Sequence, residues 1–268
     1  MGWNILKPFT RYKVALAQPE AALIPLGYVQ PGRRVYAIGD LHGQIELLEQ
    51  MLALIEYDLA KRPCIESILV FLGDYIDRGH GSAAVIERLS SSTLPGTNHF
   101  FLSGNHEQLF LDFLNSPVAG AAWLDHGGSE TAVSYGLNSA ARRLTPPELV
   151  AFGEQLNRLV PESHKQFIAS LVHYVEIDGY YFVHAGVCPC VPLDQQKPSD
   201  LLWIRDAFLN YDGMFEKVIV HGHTPRPRPE NLLSRINVDT GAYATRKLTS
   251  VVLENDQRLF ITVVRDDQ

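Results

Sequence analysis

Apolar residues along this chain come in short runs that end abruptly on glycine and charge. Arg34-Val-Tyr-Ala-Ile38 is β-branched and aromatic and stops at Gly39, the pattern of a buried strand. From Gln44 to Leu59 the apolar residues Ile45, Leu48, Leu52 and Ile55 recur at helical spacing. Ile68–Leu72 predicts a second strand, and Ser82 an N-cap for a helix carrying Ala83, Ile86 and Leu89. His99–Leu102 predicts a third strand, followed by a helix with Leu109, Phe110, Phe113 and Leu114. This alternation describes consecutive right-handed βαβ units, which bind ligands at the carboxyl ends of their strands.

Beyond Pro117 the pattern loosens. Trp123–Gly136 is rich in glycine and polar residues, and 140–173 reads as helices bounded by Pro146-Pro147 and Pro161. The expectation is one domain over 1–268 with a cap-like insertion at about 117–173. Strands resume at Tyr180–Val183, Lys217–Val220, Arg235–Val238, Thr249–Leu253 and Leu259–Val264, with a turn at Glu254–Gln257 and a short stiff loop at 225–230.

Bulk composition narrows the class. Of 268 residues, 46% are hydrophobic and 20% charged, ordinary for a globular α/β protein. The net charge of −7 speaks against nucleic acid as partner, since phosphate backbones are bound by basic patches. Three cysteines (Cys64, Cys188 and Cys190) make a poor disulfide framework and fit a reducing cytoplasm, with Cys188-Pro-Cys190 read as packing or loop chemistry. The segment Met1–Phe9 lacks the apolar core of a signal peptide, and no window reaches the roughly 18 apolar residues of a membrane span.

The charged stops carry the chemistry: "GDLHG" at 39–43, "GDYIDRG" at 73–79, "GNHE" at 104–107, "HAG" at 184–186 and "HGHT" at 221–224. A turn has use for one Asp and the glycines, and none for a second Asp followed by Arg. Asp40, His42, Asp74, Asn105, His184 and His223 supply oxygen and imidazole ligands without thiolate. That set suits manganese first, with iron or zinc as alternatives. Six ligands serve two divalent ions if one carboxylate bridges, and Asp74 from the middle strand is the natural bridge. Two metals about 3.5–4 Å apart stabilise both attacking and departing oxygens in phosphoryl transfer. Arg78 can then hold phosphate oxygens, His106 can protonate the leaving alkoxide, and Asp77 can orient His106 from its other nitrogen.

Five such blocks in this order resemble the phosphoprotein phosphatase branch of the calcineurin-like metallophosphoesterases, in its bacterial and phage form, from about Arg34 to Thr240. The resemblance implies an αββα sandwich of two mixed β-sheets flanked by helices. It implies Asp40, His42 and Asp74 at one metal, and Asp74, Asn105, His184 and His223 at the other. Arg78, Arg205 of "LLWIRD" and Asn105 would meet phosphate, and an aromatic of "DTGAY", Tyr243, would lie near substrate. "HGHT" aligns with the phage pattern, in which His223 is the ligand, and leaves His221 open. Glu107 reads as structural support, and His80 and His126 as candidates for a substrate pocket.

Each block alone has a bland reading: "GDLHG" as a turn, "GNHE" as a helix start with an acidic first turn. Trp203 and Tyr243 are by type core aromatics, and Asp239 a turn residue. Chance does not account for five strand-end clusters together. The expected function is a phosphomonoesterase acting by direct attack of water held between the metals, on a phosphorylated protein or small phosphoester. A dinucleoside polyphosphate hydrolase is the alternative. A non-catalytic scaffold is a third reading, disfavoured because no expected ligand is missing.

Overall fold

Alternation along each strand decides which layer a side chain enters. The computed structural model describes residues 27–91, 93–138 and 144–265; the Met1–Phe9 stretch lies outside them. In chain order the strands are β1 (Arg33–Ile38), β2 (Glu66–Phe71), β3 (Asn98–Phe101), β4 (Tyr174–Ile177), β5 (Tyr180–Val183), β6 (Val218–His221), β7 (Glu230–Asn231), β8 (Arg235–Asn237), β9 (Lys247–Glu254) and β10 (Gln257–Val264). They form two five-stranded sheets, β10-β9-β1-β2-β3 and β4-β5-β6-β8-β7. Both are mixed: β1, β2 and β3 run parallel with β9 antiparallel to β1, and β5, β6 and β8 run parallel with β4 antiparallel to β5.

Val35 and Ala37 of β1 and Ile68 and Val70 of β2 point inward, where they meet Phe182, Val218, Val220 and Ile236 of the other sheet. Their neighbours Tyr36, Ile38, Leu69 and Phe71 point outward into a second cluster. That outer layer comes from α1 (Ile45–Lys61), α2 (Ser82–Ser91), α3 (Asn105–Asn115), α4 (Ser129–Ser134), α5 (Pro146–Leu159) and α6 (Glu162–Ala169). Over the second sheet a thinner layer, including α7 (Pro198–Trp203), packs Leu201 and Phe208 on Tyr181, Val183 and Ile219. This is the expected αββα sandwich.

Besides β7 and α7, for which the sequence predicts no element, two elements depart from the sequence reading. β4 was not expected, although Asp178-Gly179 beside it is a hairpin signal and Asp178 takes the left-handed turn conformation, φ 53°. Ser82 is the first helical residue of α2 rather than its cap. Its hydroxyl accepts the Asp77 N–H (3.1 Å) and donates to the Gly79 carbonyl (3.2 Å), so it ties down the preceding loop instead.

The loops after β1, β2 and β3 are bound to one another. The N–H groups of Leu41 and His42 both donate to the Asp74 carbonyl (3.0 and 2.8 Å). A Cβ on Gly73, at φ 99°, would stand 2.5 Å from the Gly104 nitrogen, so only glycine allows this approach. Buried Glu107 accepts the N–H groups of Asp74 and Gly104 on one carboxylate oxygen (2.9 Å each) and of Tyr75 on the other (2.8 Å). Burial and the nearby Asp74 charge push its carboxyl up to about 7, against the pull of those donors. Glu107→Gln places an amide N–H₂ against backbone N–H groups. It should cost about 2–3 kcal/mol, read as a lower urea midpoint of the variant.

Candidate active site

The parallel strands of both sheets end on the same side, and their ends carry the charged blocks. Asp74 follows β2 and is 2% exposed. Its carboxylate faces Nε2 of His184 at 3.4 Å, of His42 at 3.5 Å and of His106 at 3.8 Å. Burial alone would raise its pKa, but the imidazoles of His184, His106, His42 and His223 hold it well below the usual carboxylate range.

Tautomers follow from the second ring nitrogens. His42 Nδ1 lies 2.8 Å from the Ile76 carbonyl and His184 Nδ1 2.9 Å from that of Leu72. Each Nδ1–H therefore donates to a carbonyl, and each neutral ring carries its lone pair on Nε2, toward Asp74. Burial works against charge on these rings while Asp74 favours it: burial prevails, pulling His42 down to about 3, His223 to about 2, and lowering His184. Asn105, at the start of α3, sets its Oδ1 3.0 Å from His184 Nε2, and His223 Nδ1 lies 3.1 Å from the same atom.

Beside this group, His106 Nδ1 meets Asp77 Oδ2 at 2.7 Å, leaving Nε2 toward Asp74. Burial opposes a charge on His106, but Asp74 and Asp77 outweigh it and raise its pKa. The Arg78 guanidinium lies 3.1 Å from His42 Nε2 and 3.2 Å from His106 Nε2, and over the Tyr243 ring at 4.5 Å. His42, Asp74, Asp77, Arg78 and His223 all hold positive φ (44°, 52°, 71°, 66° and 64°), strain of the kind that concentrates at functional sites.

The remaining expected residues are placed unevenly. Asp40 turns its carboxylate to the backbone N–H of His223 (3.1 and 3.2 Å); burial and the charges of Asp239 and Asp74 raise its pKa well above the ordinary value. Arg205 reaches Thr224 Oγ1 at 3.4 Å, and its charge acts on His184 and His223. His221 lies in β6 with its ring 4.9 Å from Phe208, in the outer layer and outside the group around Asp74. His126 is exposed, with its ring 6.3 Å from that of His106, whereas His80 is exposed without such a contact among the described ring pairs.

Trp203 and Tyr243 are not core residues. They are 42% and 40% exposed, and their rings stand 6.3 Å from His223 and 5.3 Å from His42. Each sits on a short helix whose buried residues are its neighbours, Leu201 and Leu202 before Trp203 and Ala242 before Tyr243. The sequence also gave no sign of Trp123 and Thr131, whose side chains both donate to Asp77.

These residues fit divalent cations. Among the described residues, two buried groups can each bring three ligand atoms within 4.8 Å of one another: His42, Asp74 and His106, and Asp74, His184 and His223. Asp74 is common to both. His223 Nε2 is buried without a hydrogen-bond partner. Asp40 and Asp239 are buried near Asp74, whose charge adds to burial in raising the pKa of both, an excess of negative charge that a divalent ion relieves.

Comparison with known proteins places this geometry. A serine/threonine-protein phosphatase 1 of Salmonella typhimurium is 29% identical over 222 residues, 81% of this chain and 90% of that protein. An asymmetrical bis(5'-nucleosyl)-tetraphosphatase PrpE of Bacillus mycoides is 25% identical over 235 residues, covering 80% and 88%. Among solved structures, a cold-active protein tyrosine phosphatase superposes with a TM-score of 0.55 at 18% identity, over 93% of this chain and 86% of that one, a likeness of fold. The sequence profile of the calcineurin-like phosphoesterases matches residues 33–253, from the start of β1 into β9. Spanning both sheets and every strand-end block, that match shows that the chain belongs to the calcineurin-like phosphoesterase family.

Proposed function

We propose that this chain is a binuclear-metal phosphomonoesterase, and in the first place a protein phosphatase acting on phosphoserine, phosphothreonine or phosphotyrosine. The observation that carries the reading is one buried carboxylate, Asp74, common to two groups of candidate ligands, one with His184 and His223 and one with His42 and His106, with Arg78 and Asp77 in contact with His106. Asp40, His42 and Asp74 would hold one ion, and Asp74, Asn105, His184 and His223 the other. Manganese is the first choice for imidazole and carboxylate donors, with iron or zinc as alternatives. Two such ions would supply Lewis acidity toward the phosphate and a water more easily deprotonated.

The protein's own groups do the rest. Arg78 and Arg205 bind the non-bridging phosphate oxygens, with Asn105 beside them, and Tyr243 lines the approach while backing the Arg78 guanidinium. His106 gives the proton on Nε2 to the departing oxygen, and Asp77 holds the ring by Nδ1. On this reading, the segment at about 117–173 acts as a cap within one domain, and the site sits in a reducing cytoplasm. Cys64, Cys188 and Cys190 are free, and no helix among the described residues is long and apolar enough to cross a membrane.

Likeness to the Salmonella protein phosphatase supports this reading, and likeness to PrpE keeps a second one, a dinucleoside polyphosphate hydrolase on the same centre. Phosphate release by metal-stripped, Mn²⁺-reconstituted protein separates them. Phosphoserine, phosphothreonine and phosphotyrosine peptides would be compared with a dinucleoside tetraphosphate. Preference for a peptide is expected; nucleotide products alone would transfer the chain to the second reading. Failure to bind any divalent ion would leave a non-catalytic scaffold.

Two substitutions test the assignments. Asp74→Asn should abolish turnover and lower bound metal, read by elemental analysis; wild-type activity would remove the bridging role. His106→Asn should keep its metal and lose about 100-fold or more in kcat on alkyl phosphates. On aryl phosphates, whose phenolate leaves more easily unprotonated, the loss should be smaller.

A further inference from the structure

Asp77 is fully buried, and the hydrogen bonds on its carboxylate divide between two purposes. Oδ2 meets His106 Nδ1 at 2.7 Å. The Trp123 indole N–H donates across both oxygens (3.0 Å each), and the Thr131 hydroxyl donates to Oδ1 at 2.7 Å. The Thr131 oxygen also accepts the Asp77 backbone N–H at 2.8 Å, so one side chain fixes both the backbone and the carboxylate of Asp77.

Trp123 and Thr131 are eight positions apart, which along a straight helix would separate them by about 12 Å. A wide π-type turn at Leu124–Gly128, broken at Gly127 (φ 99°), brings both onto one carboxylate. The same turn touches the next residue as well: the Gly127 carbonyl accepts the Arg78 N–H at 3.1 Å. A Cβ on Gly127 would lie 2.6 Å from that nitrogen. A buried Trp needs some acceptor for its N–H, so Trp123 packed against Phe110 and Phe113 has a purely structural reading. Convergence of a second donor from beyond the break onto the same carboxylate is what that reading leaves unexplained.

We infer that Trp123 and Thr131 are positioning residues for departure of the leaving group. They fix the rotation of the Asp77 carboxylate and, through Oδ2, aim His106 Nε2 at the departing oxygen. This rests on the reading of His106 as proton donor. As the phosphorus–oxygen bond breaks, its electron pair goes to the departing oxygen and the His106 Nε2 proton follows. The attacking water gives up one proton, so the overall exchange is phosphate ester plus water to alcohol plus phosphate.

The test uses full-length, Mn²⁺-loaded protein with Thr131→Val, Thr131→Ser, Trp123→Phe and His106→Asn. Turnover and KM are measured on a phosphoserine peptide and on p-nitrophenyl phosphate, with bound manganese quantified. Thr131→Val keeps the shape and removes the hydroxyl; it should lose about tenfold in kcat on the alkyl ester, a modest part of what a general acid contributes. Loss on the aryl ester should be several-fold smaller, with KM and bound manganese unchanged. Thr131→Ser should restore most of the difference, and Trp123→Phe should shift it in the same direction as Thr131→Val. Equal losses on the two esters in Thr131→Val, or no rescue by Ser, would overturn the inference while His106→Asn still separates the esters. If His106→Asn does not separate them, the proton-donor reading falls and the inference falls with it.

Discussion

A single carboxylate, that of Asp74, is buried among four imidazole rings, and its burial sets the terms for what surrounds it. An unpaired charge in such a place would cost several kcal/mol. The ring nitrogens that face it are turned there by carbonyls at the ends of β2 and in the loop behind it. The loop itself, in which Asp74 is left-handed, is tied down by the N–H groups of Asp74 and Tyr75, which both donate to Glu107. Glu107 belongs to a helix following a different strand. The local geometry of the centre is thus a consequence of how tightly three strand ends are laced together.

Around that centre the two sheets contribute different things. The first brings the acidic block, the arginine and the His106–Asp77 pair. The second brings His184 and His223, and with Trp203 an exposed aromatic at the rim. Tyr243 comes from the link between the second sheet and β9 and backs Arg78 from the opposite side. The rim is where a phosphopeptide and a dinucleotide would differ in fit, since the buried groups would treat either phosphate alike.

Much of this was legible in the sequence because apolar runs that stop on Gly-Asp or Gly-Asn are an unusual combination. Short β-branched and aromatic runs mark the central strands, and the stops mark the residues at their ends. Less legible was anything depending on conformation rather than type. Nothing in the letters shows that His42, Asp77 or Arg78 takes positive φ, because L-residues are expected there only when the fold compels them. Trp123 and Thr131 were missed because their shared partner becomes visible only once the turn at Gly127 folds the chain back. Trp203 reads as a core aromatic by its type, and its 42% exposure reflects its place at the end of a short helix.

The order of strands in the first sheet also bears on how the molecule comes into being. β1 is the third strand of that sheet, and one of its two neighbours, β9, arrives more than two hundred residues later: Val35 pairs with Leu253. A ribosome that has released the first three strands has therefore made a sheet with an open central edge. At that stage neither His184 nor His223 has been synthesised. Such long-range pairing closes late and slowly. The buried centre and the sandwich core are in this sense a single late event, and an unfinished chain possesses neither.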